Sequence, residues 1–470
     1  MLFPTAQFAI FFAIVVLLGW GLNRHRMAWK VAMLLASYFF YGFWNWKLLP
    51  LIMGSTLLNH VCSVFVRPDE GRRHRATWLV FAMTANLLIL GVFKYYRFFT
   101  TSMRDLFLAA GWEVSVPMLD VILPVGISFI TFQAMSLVID TYRGDLRERP
   151  SLLDTGVFIA FFPQLVAGPI LRGKDFMPQI LRPSSSEAVD VGRAACLILG
   201  GLFKKIVIAN SLATLLVDPV FSEPELHGGL SSWLAVYGYA MQIYCDFSAY
   251  SDIAIGVALL MGLRFNLNFD APYLSVNLRD FWRSWHISLS SWLRDYLYIP
   301  LGGSRRSESK TMRNLLVTFL LGGLWHGAAW TFIAWGAMHG VWLCLERLFL
   351  RRYQAALAGR GWRLLRGLIT FHVVCLSWLF FRSQTFGDAW LMLRGLFSRG
   401  TGDGLVTGTV VVLVVVGFLS QLADGARPVR IWDGFNRLHW AWQGTAAAFV
   451  LTFILALGPR GVAPFIYFQF

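Results

Sequence analysis

Charge is scarce in this sequence. Asp, Glu, Lys and Arg make up 14% of the residues, against about 25% in soluble domains. Acidic residues are the scarcer sign, 26 against 41 basic ones. Cysteine is scarce as well. Cys62, Cys196, Cys245, Cys344 and Cys375 all lie in apolar stretches and none forms a CxxC pair, so neither a disulfide framework nor a metal site is indicated. No stretch alternates polar and apolar residues with period 2, which argues against a transmembrane barrel. There is no low-complexity linker and no clear internal repeat. The first apolar run has no basic segment before it and no small-residue cleavage site after it, so it is expected to be retained rather than removed as a signal peptide.

What the chain has in abundance is apolar surface. Hydrophobic residues reach 57%, including 20 tryptophans and 40 phenylalanines. Apolar runs recur along the whole length, at Phe8–Leu22, Trp78–Phe93, Leu315–Ile333, Gly367–Phe381, Val406–Leu422 and Thr445–Leu457. Ala194–Val217 adds another, interrupted only by Lys204 and Lys205. Runs of roughly 15–20 residues are the length of membrane spans. Backbone groups in lipid must be satisfied within the segment or by a neighbour, so the spans are helices. The predicted class is an all-α polytopic membrane protein, with residues 1–470 forming a single membrane domain.

The formal net charge of +15 does not point to nucleic acid. The arginines and lysines fall in short segments between apolar runs: Arg24–Lys30, Arg67–Arg75, Arg143–Arg149, Arg172–Arg182, Arg305–Arg313, Arg347–Arg366 and Arg427–Arg437. That is the positive-inside distribution. Counting from these loops places both termini outside. The acidic loop Asp218–Glu225 then falls where an outside loop should be.

Four stretches put polar groups in apolar company. "LLGGLWHGAAW" carries His326, with no other ionisable residue from Asn314 to Met338. Ionisable residues within spans are functional candidates by default. His326 lies about four helical turns past Arg313, roughly 20 Å at 1.5 Å per residue, hence near mid-membrane. The second stretch lies within Arg264–Arg313, which reads as a cytoplasmic, partly re-entrant segment. Here helical spacing predicts one amphipathic helix over Arg279–Tyr298, with His286 at the edge of its apolar stripe and Arg283 and Arg294 elsewhere on the wheel. An interfacial helix with a tryptophan belt explains the arginines but not His286. The third, "YCDFSAYSDIAIG", places Asp246 and Tyr250 on one helix face and Ser248 and Asp252 on another. The fourth, "FFPQLVAGPI", has two prolines and a glycine and is expected to be a broken helix. His339 stands about 220° around a common axis from His326 at 100° per residue and is expected to be structural.

Together "FFPQLVAGPI", "QIYCDFSAYSDIAIG", "FWRSWHISLSSWLRDYLYIPLGG" and "LLGGLWHGAAWTFIAWGAMHG" resemble the membrane-bound O-acyltransferase family, and within it the bacterial branch that acetylates polysaccharides. The match covers roughly residues 140–346; Ala249 stands where that branch is expected to have glycine. The resemblance implies a ring of tilted helices around a thin centre with a tunnel, plus re-entrant and amphipathic cytoplasmic helices. It implies an enzyme that moves an acyl group, usually acetyl, onto a hydroxyl, with His326 catalytic and His286 the second characteristic polar position. Further candidates for substrate or donor contact are Trp285, Arg283, Arg294, Asp295, Tyr244, Asp246, Ser248, Asp252, Gln164 and Trp325. No permanently bound cofactor is implied. The donor, acetyl-CoA or an acyl carrier protein, comes from the cytoplasm, and the polysaccharide acceptor lies outside, reached through periplasmic acetyl-handling proteins. The expected location is the bacterial cytoplasmic membrane.

Neutral imidazole suits either a base or a nucleophile near pH 7, its ordinary pKa being about 6.5. Two alternatives stay open. One is D-alanyl transfer from a carrier protein to a cell-wall polymer. The other is a transporter or flippase, against which stands the lack of paired repeats and of matching broken helices.

Overall fold

The computed structural model describes the chain except for residues 2, 69–72, 116, 118, 120, 166–167, 183–188, 354–358, 399–403, 425–428, 460–464 and 467–470. The basic segments Arg67–Arg75, Arg172–Arg182, Arg347–Arg366 and Arg427–Arg437 were read from sequence; the first, third and fourth lie partly outside the described residues. Among the described residues the regular structure is helical and contains no strand. Among the described residues, six helical stretches are long and apolar enough to cross a membrane by length and composition: Arg26–Phe65, Arg75–Ala109, Val191–Ser222, Gly229–Leu260, Arg360–Arg382 and Trp440–Leu457. Two shorter apolar helices, Ala6–Gly21 and Gly408–Ala423, accompany them. The protein is an all-α, multi-pass membrane protein.

The chain divides into two compact units. The first comprises Met1–Val189 with Val257–Phe265. It contains α1 (Ala6–Gly21), α2 (Arg26–Asn45), α3 (Leu49–Phe65), α4 (Arg75–Leu90), α5 (Tyr96–Ala109), α6 (Ile127–Arg143), α7 (Leu152–Ala160), α8 (Phe162–Leu165) and α9 (Gly173–Leu181). The starts of α1 and α7 carry side-chain caps. The Thr5 hydroxyl accepts from Phe8 N ahead of α1, and Ser151 and Asp154 form a reciprocal capping box at α7. Several buried polar groups in this unit are paired, as a low-dielectric setting favours. Asn59 and Asn86 exchange amide hydrogen bonds of 3.1 and 2.8 Å between α3 and α4, and Lys30 meets Asp154 at 2.5 Å. "FFPQLVAGPI" is broken between α7 and α8, as its prolines require.

The second unit comprises Asp190–Gly256 and Asn266–Phe470. It opens with α10 (Val191–Leu202), a π-helical turn at Phe203–Ala209, α11 (Asn210–Leu212), a second π turn at Ala213–Val217 and α12 (Asp218–Ser222). α13 (Gly229–Leu260) is 32 residues long, and its end from Val257 on belongs to the first unit. There follow α14 (Leu278–Ser284), α15 (Ile287–Leu293), α16 (Glu308–His326), α17 (Trp330–Tyr353), α18 (Arg360–Arg382), α19 (Phe386–Gly395), α20 (Gly408–Ser420), α21 (Val429–Asn436) and α22 (Trp440–Leu457).

Two sequence expectations fail here. The run Leu315–Ile333 is not one span: α16 stops at His326 and α17 starts at Trp330. Glycines make this hairpin. A Cβ on Gly327 would overlap the Phe332 ring, one on Gly323 would overlap the Phe332 carbonyl, and one on Gly336 would overlap the Phe319 carbonyl. The two backbones therefore pack almost against each other, the close approach that small residues permit. The second failure is Arg279–Tyr298, which is not one helix. α14 ends at Ser284, α15 begins at Ile287, and Arg294–Tyr298 forms a π turn.

Candidate functional site

The break between α14 and α15 is a left-handed backbone residue. His286 has φ 43° and ψ 55°, a region that non-glycine residues seldom enter, histidine among the less rare exceptions. Ala271 at φ 49° is the other non-glycine residue with positive φ among the described residues, and it belongs to the same segment. Both are tied from outside their own turn. Asp424 Oδ2 accepts from Ala271 N at 3.1 Å. For His286 the anchor is Asn268: its carbonyl oxygen accepts from Ile287 N at 2.9 Å, and its side-chain Oδ1 accepts from Ser288 N at 3.1 Å and Ser288 Oγ at 2.9 Å. The same Oδ1 lies 3.2 Å from His286 Nδ1. The His286 ring is fully buried, edge-on to Phe247 at 4.6 Å between centroids and 6.1 Å from the indole of Trp325.

His326 occupies the last position of α16, at the tip of the hairpin. Trp325, Trp335 and Phe381 surround its ring edge-on, at centroid separations of 5.1, 5.0 and 5.2 Å. It is 5% exposed, and that remaining exposure matters because His326 lines a cavity of about 780 Å³. The buried end of the cavity holds His326, Trp335, Gly322 and Thr318; the exposed end holds Arg279, Arg283, Arg294 and Ser304. Arg347 and Arg366 line it as well. Two acids line the cavity with these arginines, and each is engaged. Glu346 accepts from Leu278 N at 3.0 Å and Arg279 N at 3.3 Å, at the start of α14, while Asp280 accepts from Asn277 Nδ2 and lies 3.5 Å from Arg283. A small-molecule volume with a basic mouth and a buried imidazole at its end can bind an elongated anionic molecule and present its far end to a base or nucleophile.

The structure separates the residues that sequence grouped together. His326, Arg283 and Arg294 line the cavity. Asp295 pairs with Arg294 at 2.6 Å. His286, Trp285 and Trp325 are buried outside the lining: Trp285 stacks on Phe281 at 5.6 Å, and Trp325 lies between the two histidine rings. Gln164 is in the first unit, donating from Nε2 to Phe158 O at 2.8 Å.

Tyr244, Asp246, Ser248 and Asp252 do not line the cavity either. The three that titrate belong to a buried ionic cluster instead. Lys204 Nζ lies 2.6 Å from Asp252 and 3.5 Å from Asp424. Lys205 meets Asp246 at 2.8 Å, whose other oxygen accepts from Ile466 N at 2.9 Å. Tyr244 donates to Asp424 at 2.6 Å. Both lysines come from the π turn at Phe203–Ala209, where a widened turn aims neighbouring side chains inward.

His339 is not on a common axis with His326, since the hairpin intervenes. It accepts at Nδ1 from Trp282 Nε1 at 3.2 Å, and its Nε2 lies 2.9 Å from Ser377 Oγ. Ser377 sends its own proton to Val374 O, so Nε2 carries hydrogen and donates. Sequence reading missed Trp335, Arg347, Arg366 and Asn268. The arginines had been noticed only as topological charge, and no local pattern marked Asn268.

Residues 143–383 match the profile of the membrane-bound O-acyltransferase family. The chain is 41% identical to the probable alginate O-acetylase of Pseudomonas aeruginosa, over 88% of this chain and 80% of that protein. It is 36% identical to the peptidoglycan O-acetyltransferase of Helicobacter pylori, over 84% and 80% respectively. Similarity to the teichoic acid D-alanyltransferase of Bacillus subtilis is narrower, 31% identity over 56% of this chain and 69% of that one. The cavity that ends on a buried histidine thus lies inside a matched region spanning half the sequence, and the chain belongs to the membrane-bound O-acyltransferase family and is an acyltransferase.

Proposed function

We propose that this protein moves an acetyl group from acetyl-CoA on the cytoplasmic side of the bacterial inner membrane toward a hydroxyl of an extracytoplasmic polysaccharide, with His326 as the reacting imidazole. The observation that carries this reading is the cavity running from exposed arginines to His326. Arginine forks suit the phosphates of coenzyme A, and the cavity volume suits a slender thioester arm. As a base, His326 takes the proton of the attacking hydroxyl while its oxygen bonds to the thioester carbonyl carbon. The C–S bond then breaks and the proton leaves with the coenzyme A thiol. As a carrier, the imidazole itself bonds to the acyl carbon and releases the thiol, and the hydroxyl displaces it in a second step. His286 is assigned the second proton-handling position. The acetylases named for alginate and peptidoglycan among the relatives support acetyl as the group and polysaccharide as the acceptor, with periplasmic acetyl-handling proteins completing delivery. Arginine-rich loops between spans support a topology with both termini outside.

A second reading is D-alanyl transfer from an acidic carrier protein, favoured by the exposed Arg279, Arg283 and Arg294 at the cavity mouth and by the D-alanyltransferase relative. The test is transfer of label from radiolabelled acetyl-CoA in membranes matched for protein level. His326→Ala and His326→Gln are expected to lower transfer by at least about 10²-fold, and His286→Ala by less. Retention of a third of wild-type transfer by His326→Ala overturns the assignment. A wild-type protein that consumes no acetyl-CoA overturns the acetyl donor and leaves the carrier-protein reading.

A further inference from the structure

We infer that Asn268 is a positioning residue that sets which nitrogen of His286 is basic. The inference deepens the proposed function, since it rests on His286 taking part in acyl transfer. Asn268 is fully buried, and its carbonyl and both side-chain polar atoms are engaged. Its Nδ2 donates to Ser251 Oγ at 2.9 Å, on α13. That bond fixes the amide's orientation and leaves Oδ1, an acceptor only, facing the His286–Ser288 turn. Oδ1 takes hydrogens from Ser288 N and Ser288 Oγ. His286 Nδ1 lies 3.2 Å from this oxygen and 3.4 Å from Ser288 Oγ, whose own hydrogen goes to Oδ1; with acceptors on both sides, Nδ1 is assigned the proton, because facing acceptors would repel. In the neutral ring Nε2 then carries the lone pair.

The backbone reinforces this choice. The Asn268 carbonyl binds Ile287 N, and the left-handed φ of His286 is what lets its side chain and the next two residues converge on one asparagine. A left-handed non-glycine residue is strained and persists only where its surroundings over-determine it. Here four bonds from a single residue do so. Phe247 from α13 and Trp325 from α16 face the same ring, and neither titrates. Fixing a reactive imidazole's tautomer through its other nitrogen is how an orienting partner contributes to proton transfer without touching substrate.

The experiment compares Asn268→Asp, Asn268→Leu and His286→Ala in membranes, with radiolabelled acetyl-CoA and protein levels matched. Asn268→Asp keeps the acceptor oxygens and adds a negative charge against Nδ1–H. It is expected to retain transfer while the acid limb of its kcat–pH profile moves to higher pH by a unit or more, as an opposite charge within about 4–6 Å of a titrating group does. Asn268→Leu removes the acceptor and is expected to lower kcat at least tenfold with the acetyl-CoA KM unchanged. A purely structural asparagine would lower the amount of folded protein without moving the pH profile. If His286→Ala abolishes transfer while Asn268→Asp retains an unshifted profile, the positioning role is wrong and the role of His286 stands. If His286→Ala transfers normally, both fail together. Should Asn268→Leu not accumulate in membranes, the Asn268→Asp profile decides alone.

Discussion

Two groups of polar side chains lie deep in the second unit, and they are built in opposite ways. The cluster of Lys204, Lys205, Asp246, Asp252, Asp424 and Tyr244 is closed on itself, each charge answered at 2.6–3.5 Å. His326 is ringed by aromatics and opens on a cavity. From sequence both look alike, as ionisable residues in apolar runs. The difference is that a charge held by an opposite charge is engaged within the protein, whereas an imidazole facing a cavity is placed to meet a ligand. Depth and polarity alone mark a residue as costly; its neighbours determine whether that cost supports architecture or chemistry.

This contrast can be broken by removing one partner at a time. The largest expected effect is on the closed cluster. Lys205→Met leaves the Asp246 carboxylate buried opposite no cation and is expected to destabilise the protein by about 3–5 kcal/mol. Adding Asp246→Leu should recover more than half of that loss, with cavity and histidines untouched. Thermal aggregation in detergent measures both. A double variant no more stable than the single one would show that Asp246 does more than balance Lys205.

Next in size is the cavity mouth. Arg294→Glu reverses a charge on an exposed side chain and is expected to raise the acetyl-CoA KM roughly tenfold, the scale of Coulomb terms of one to a few kcal/mol near a surface, while kcat changes less. A KM that stays put in stable protein removes Arg294 from donor binding.

The smallest effect sharpens the distinction between strain that serves a site and strain that merely turns the chain. Ala271→Gly relieves a left-handed alanine but adds freedom to the unfolded chain. The two terms offset to within about 1 kcal/mol, so stability and transfer should both stay near wild type. A large loss of transfer would extend the functional role from His286 to the whole turn.

Much of this was legible in the sequence. Apolar runs gave the helical class, and four motifs gave the family. His326 stood out by its isolation. The breaks were not legible. Trp282, Trp285, Leu289 and Trp292 keep helical spacing straight through His286, and histidine, unlike glycine or proline, signals no stop; the turn is imposed by Asn268, 18 residues earlier. The α16–α17 hairpin hid inside a run that is apolar apart from His326. Asp246 and Asp252 looked like site residues because their partners Lys204, Lys205 and Asp424 are distant in sequence; Tyr244 and Asp424 are 180 residues apart. Periodicity reports which face a residue occupies and carries no information about its partner on another helix.

The hairpin also bears on how the protein is made. α16 opens with Glu308, Lys310 and Arg313, and neither it nor α17 is among the described helices long and apolar enough to cross a membrane by length and composition. Their arms are joined where Arg347 meets Glu308 at 2.5 Å and again where Gly323 faces Gly336. Such a pair gains little by partitioning into lipid one arm at a time, since each alone would carry its charges with it. The two arms are expected to enter as one unit, carrying the ion pair and the glycine contact with them.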